Sequence, residues 1–216
     1  MASTLIVRGS NTVVNKVITR LSLCLSLLAI SSCATYRPSN MNDLCHIFRG
    51  ETDWYEAAVD ANKRWGTPIQ VMMAILHQES RFVHDAQPKR NWFLFIPLPR
   101  RSSAYGYAQA QNPAWSDYKK STGRYGADRD DFEDAIDFVG WYTHGTQAQL
   151  KVSKWDTYNQ YLAYHEGRGG FKRKTYKNKA WLLPVARKVE GRAASYGAQL
   201  RSCKKSLDDA IDGWFF

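Results

Sequence analysis

Acidic residues are missing from the first 32 positions, which hold Arg8, Lys16 and Arg20. A long apolar run is missing there too. The stretch LSLCLSLLAI at 21–30 is shorter than the about 20 apolar residues that a bilayer-spanning helix needs. Cysteine is scarce, four in 216 residues. Cys45 and Cys203 stand in no metal-ligand spacing, so no zinc site and no metal or organic cofactor is expected. No internal repeat and no low-complexity tract is visible, which excludes a solenoid or a linker-like chain. No DNA- or RNA-binding motif accompanies the formal net charge of +10, so the basic character does not read as nucleic-acid binding. What is present is a hydrophobic content of 44%, enough for a real core and too much for wholesale disorder. The length fits one domain, or at most two small ones.

A basic segment, a short apolar core and then small residues make residues 1–32 an export signal. Ile30-Ser31-Ser32-Cys33 resembles a bacterial lipobox, in which the cysteine is acylated and becomes the mature N-terminus. Ala34 follows in place of an aspartate, which resembles an outer-membrane address. The alternative is an ordinary signal cut near Ser32. Cys24 would leave with the signal and Cys33 would take lipid. Cys45 and Cys203 remain, and in an oxidising compartment a leftover pair reads as a disulfide. It would close a loop of about 160 residues, for which the chain-entropy model gives roughly 5 kcal/mol. Two free thiols are the other reading.

From Asn42 onward the pattern is helical. Trp54, Ala57, Ala58, Ala61 and Trp65 form one stripe over 51–65. Gly66 suits a helix end, Thr67 an N-cap and Pro68 a first helical position. The next helix, PIQVMMAILHQES, is apolar on most faces and therefore central. Residues 83–105 break the pattern with Pro88, Pro97 and Pro99 and read as a long irregular loop or hairpin. Helices resume at 113–121, 130–150, 156–166 and 180–201, with a basic glycine-containing loop, GRGGFKRKTYKNK, before the last. The expected layout is a signal at 1–32, a tether at 33–49, a mainly helical domain at 50–203 and a tail at 204–216.

Three short stretches follow one another at helix ends and loops: Glu79-Ser80, then Gly106-Tyr107-Ala108-Gln109, then Ala163-Tyr164-His165-Glu166-Gly167. Their order resembles the SLT-domain lytic transglycosylases of the goose-lysozyme-like superfamily, whose pattern is E-S, G-L-M-Q and A-Y-N-A-G. The resemblance covers roughly residues 50–190. It departs at Tyr107 and Ala108, at His165 and Glu166, and in the long gap between Glu79 and Gly106.

The resemblance implies a lysozyme-like helical fold that cleaves the MurNAc–GlcNAc β-1,4 bond of peptidoglycan with formation of a 1,6-anhydro ring. One glutamate, Glu79, would serve as acid and then as base. Burial at the end of VMMAIL suits that role, because it penalises the charged form and keeps a proton on the carboxyl near neutral pH. The resemblance also makes Ser80, Tyr105, Gly106, Gln109, Tyr164, His165 and Glu166 candidate substrate contacts, with Tyr164 hydrogen-bonding Glu79. Ser80 could instead bond locally at the helix end. His77, two residues before Glu79, faces elsewhere and reads as structural.

Glu166 is the open residue. It could act as a second carboxylate that activates water, making a hydrolytic muramidase, or it could pair with the basic loop at 168–179. Asp128, Asp130 and Asp131 look like a helix start. Among the aromatics, Tyr105, Tyr107, Trp115, Trp141 and Tyr142 divide between cleft and core. The expected partners are peptidoglycan strands and, through the lipid anchor, the outer membrane; a net +7 without the signal's three basic residues suits anionic lipid or acidic peptide stems. A non-catalytic wall-binding lipoprotein on the same scaffold is the alternative from another class. The apolar stretch NWFLFIPLP, flanked by Lys89, Arg90, Arg100 and Arg101, either meets a membrane or partner or folds back over the helices.

Overall fold

The computed structural model describes residues 35–100 and 102–213, and helices dominate them. Seven α-helices run among the described residues: α1 Leu44–Gly50, α2 Thr52–Trp65, α3 Ile69–Ser80, α4 Asn112–Thr122, α5 Phe132–Leu150, α6 Thr157–Lys172 and α7 Leu182–Asp212. A 3-10 turn spans Thr175–Asn178. Two short antiparallel strands, β1 Trp92–Phe93 and β2 Ile96–Pro97, form a hairpin between α3 and α4. The export signal and Cys33 lie outside the described residues.

Helix boundaries follow local chemistry. Asp43, Asp131 and Asp156 cap α1, α5 and α6, each accepting a backbone N–H three residues on, which satisfies a donor the helix itself cannot. Gly66 closes α2 in the left-handed conformation at φ 66° and donates its N–H to the Asn62 carbonyl. Thr67 does not cap α3 as expected. Its hydroxyl is fully buried and meets the Thr143 hydroxyl at 2.8 Å; Pro68, expected as the first helical residue, holds the cap position instead, and the helix begins at Ile69.

Helix α3 is the centre of the packing. Every residue from Val71 to His77 is buried, and α2, α5 and α7 pack around it. The α2 stripe buries Trp54, Ala57, Ala58 and Ala61. Trp54 stacks on Phe132 of α5 with ring centroids 3.8 Å apart, joining α2 to α5 by large aromatic surface. Trp65 instead donates its indole N–H to Asp137 at 2.8 Å.

Both expected ends of the domain are corrected. The domain starts before residue 50: Leu44, Cys45, Ile47 and Phe48 of α1 are buried, and the Leu44 N–H donates to Gln199 at 2.8 Å. Residues 204–212 are not a tail: they continue α7, with Leu207 buried and Asp208 accepting the Tyr55 hydroxyl at 2.6 Å. The Cys45–Cys203 disulfide is formed and staples α1 to α7 across 158 residues. Weak amphipathic signal in seven-residue α1 hid it; burial comes from α7 rather than from its own length.

Candidate functional site

Glu79 sits in the last turn of α3, one turn after fully buried Ile75 and Leu76. The helix stops because Arg81 turns left-handed at φ 52°, followed by Phe82 at φ 56°. Two consecutive non-glycine residues in that region are costly, about 1–3 kcal/mol each, and such strain concentrates where geometry is over-determined by packing. Phe82 is buried against Trp54 and His77, and that packing holds the turn. The Glu79 carboxyl is left half-buried at the helix end.

Burial pushes Glu79 up from 4.5 to about 7, while the Tyr161 hydroxyl that approaches it pulls the other way. Two other carboxylates with little exposure, Asp137 and Glu166, differ from Glu79 in their partners. Asp137 accepts from Trp65, Tyr118 and Arg64. Glu166 accepts from Lys179 at 2.7 Å, from His165 at 3.0 Å and from Thr175. Burial alone would raise Glu166, but these donors outweigh it and hold the carboxyl down to about 2. Glu79 has no ion-pair partner among the described residues. Its carboxyl is therefore able both to lose and to regain a proton near neutral pH.

A cavity of about 250 Å³ is lined among others by Gln109, Phe138, Tyr142, Tyr164 and His165. Glu79 is not part of that lining; the Tyr164 side chain borders the cavity and also feels the Glu79 charge. The loop that carries Gln109 is held tightly. Gly106 adopts φ 76°, and a Cβ there would lie 1.9 Å from the Arg129 carbonyl oxygen, so only glycine fits. Gln109 donates both protons of its amide nitrogen, to Ala86 at 2.7 Å and to Gly106 at 2.9 Å. Two carbonyl acceptors fix the orientation of that amide, and its oxygen accepts no hydrogen bond among the described residues.

A family model described as transglycosylase SLT domain matches residues 21–203. The chain belongs to that family. No curated protein and no solved structure matches it. SLT domains are lytic transglycosylases that act on peptidoglycan in the cell envelope, and the helical architecture above is their lysozyme-like fold.

Against this SLT framework, the candidate residues fall into two groups. Glu79, Gln109, Tyr164 and His165 gather around the cavity and the end of α3. Three others are turned to internal tasks. Ser80 is buried and donates back to the Leu76 carbonyl at 3.3 Å, the local helix-end bond rather than a substrate contact. Tyr105 donates to Asp130 at 2.9 Å and carries the Arg129 guanidinium over its ring. Glu166 borders the cavity, but its side chain is only 2% exposed and its oxygens are occupied, which speaks against the alternative reading as a base for water. The reading of Glu166 as the partner of the basic loop holds, with Lys179 as its cation.

Tyr164 also departs from expectation. Its hydroxyl donates to the Ala108 carbonyl at 2.6 Å and thereby ties α6 to the Gln109 loop. The phenol directed at Glu79 is Tyr161, one helical turn earlier and unnoticed in the sequence. The YLAY spacing at 161–164 was the available signal, since i and i+3 share a helix face. Gly167, at φ 73° and ψ 153°, breaks α6 after Glu166, and the chain beyond it brings Thr175 and Lys179 back onto Glu166. Tyr107 and Trp115 belong to the core; Tyr142 borders the cavity with Arg168 over its ring.

Proposed function

We propose that this SLT-family chain cleaves the MurNAc–GlcNAc β-1,4 bond without water, forming a 1,6-anhydro-MurNAc end, with Glu79 as acid and then base. The observation that carries this reading is a lone, half-buried carboxyl held near 7 by burial at the end of an apolar helix. Protonated, Glu79 gives its proton to the glycosidic oxygen. Ionised, it takes the proton from the muramoyl 6-hydroxyl, which attacks the anomeric carbon of the same sugar. Tyr161 sets the orientation and the acidity of the carboxyl. The free Gln109 oxygen accepts from an N-acetyl amide or a hydroxyl of the glycan, and His165 contacts the strand from the rim.

A muramidase working through Glu166 has no support from the surroundings of that carboxylate, which is held near 2 and saturated with donors. Acylation at Cys33, read from the lipobox-like Ile30–Cys33, and an outer-membrane location, read from Ala34, complete the reading as an anchored wall enzyme. Mass spectrometry of the products from purified sacculi tests it. Anhydro-muropeptides that disappear with Glu79→Gln are expected. Reducing-end products would replace the transglycosylase by a hydrolase, and intact sacculi with bound protein would replace both by a wall-binding scaffold.

A further inference from the structure

The hairpin between α3 and α4 ends in side chains that no part of the described chain covers. Leu94 is 79% exposed, Phe95 93%, Ile96 63% and Leu98 39%, so the tip does not fold back over the helices. Leu94 also adopts φ 53° at the turn, a conformation that glycine or asparagine takes at far lower cost. A branched aliphatic residue in strained backbone and open water is unfavourable twice over in the isolated domain. Such a residue makes sense where the tip is buried elsewhere.

The charges around it name the occupant. Lys89 and Arg90 are exposed on the entering arm and Arg100 lies on the returning arm. The sequence holds no Asp or Glu between Asp85 and Asp117. Apolar side chains leading, with cations set behind them, match an anionic bilayer surface: the tip enters the acyl boundary while the cations meet headgroup phosphates. A protein partner would need acidic groups at the level of the cations and a pocket for the tip, whereas a fluid bilayer asks for no such fit. No described helix is long and apolar enough to cross a membrane.

We infer that the 92–98 hairpin is a membrane-docking element that inserts Leu94, Phe95 and Ile96 into the surface of an anionic phospholipid bilayer. Its base is bound to the cleft. The Arg100 guanidinium donates to the Pro88 carbonyl, and the Ala86 carbonyl accepts from both the Gly106 N–H and the Gln109 amide. Docking the tip therefore fixes the direction in which the Gln109 loop faces the wall.

The test is vesicle co-sedimentation of the full chain carrying Cys33→Ser, which removes the proposed acylation site. Vesicles are phosphatidylcholine alone or mixed with phosphatidylglycerol. Parent and variants share the N-terminal segment, so their difference reads the tip. Leu94→Ser/Phe95→Ser is expected to weaken binding to mixed vesicles at least about tenfold, with unchanged thermal unfolding. Lys89→Gln/Arg90→Gln is expected to abolish the preference for mixed over neutral vesicles. Equal binding by parent and tip variant overturns the proposal. So does a tip variant that keeps vesicle binding but loses cleavage of soluble glycan strands, since that assigns the tip to substrate.

Discussion

Replacing Glu79 by glutamine should make the protein more stable, and only above a defined pH. In the folded chain the carboxyl holds its proton up to about 7; in the unfolded chain it releases it near 4.5. Below the lower value both states are protonated and the carboxyl costs nothing relative to an amide. As pH rises through the interval, the unfolded state sheds its proton first and stability falls, levelling off once the folded carboxyl has ionised too. At about 1.4 kcal/mol for each tenfold change in proton affinity, the interval corresponds to about 3 kcal/mol. Water reaching the half-buried carboxyl screens part of that, leaving about 2–3 kcal/mol. Urea unfolding of both proteins near pH 4 and near pH 8.5, with the disulfide intact, reads the difference. The expected result is near-identity at the acid end and a gain of about 2–3 kcal/mol for Glu79→Gln at the alkaline end, about 5–10 °C in Tm. A gap that is the same at both pH values would refute the claim that burial keeps this carboxyl protonated, and with it the physical basis for a single acid/base residue.

The neighbouring residues give sharper contrasts. Tyr161→Phe removes the group that favours ionised Glu79, so the alkaline limb of the pH–rate profile should move to higher pH with little change in fold; a shift downward would contradict the geometry. Glu166→Gln should leave the product type unchanged and lower stability by about 1–3 kcal/mol, because Lys179, Thr175 and His165 lose a charged acceptor; product mass spectrometry and thermal unfolding separate these effects. Gly106→Ala should destabilise the domain by at least about 2 kcal/mol, since the added Cβ meets backbone and the φ is left-handed, and denaturant unfolding measures it.

The helical layout was legible because α2, α3 and α5 carry long apolar patterns that local chemistry already favours. Helix α1 was not, because a seven-residue helix gains its burial from α7, 150 residues away in sequence. Glu79 could be read from its place after VMMAIL; its environment is a property of one helix end. The roles of Ser80, Tyr164 and Glu166 could not be read the same way. Each depends on which of several possible partners the fold brings near: the Leu76 carbonyl, the Ala108 carbonyl, or the Lys179 ammonium. Motif letters say what a side chain can bond, while the packing of α6 against the Gln109 loop decides what it does bond.

The Cys45–Cys203 bridge changes what a protease can do to this protein. It joins the first described helix to the last, so the hairpin, the cleft loops and every described helix between them lie inside one closed ring of chain. A single cut in that ring, at the exposed hairpin for example, opens the ring without parting the molecule. The nicked protein should run as one band without reductant and as two with it. In an envelope patrolled by proteases, the exposed apolar hairpin can thus be severed while α3 and α6 stay covalently within one particle.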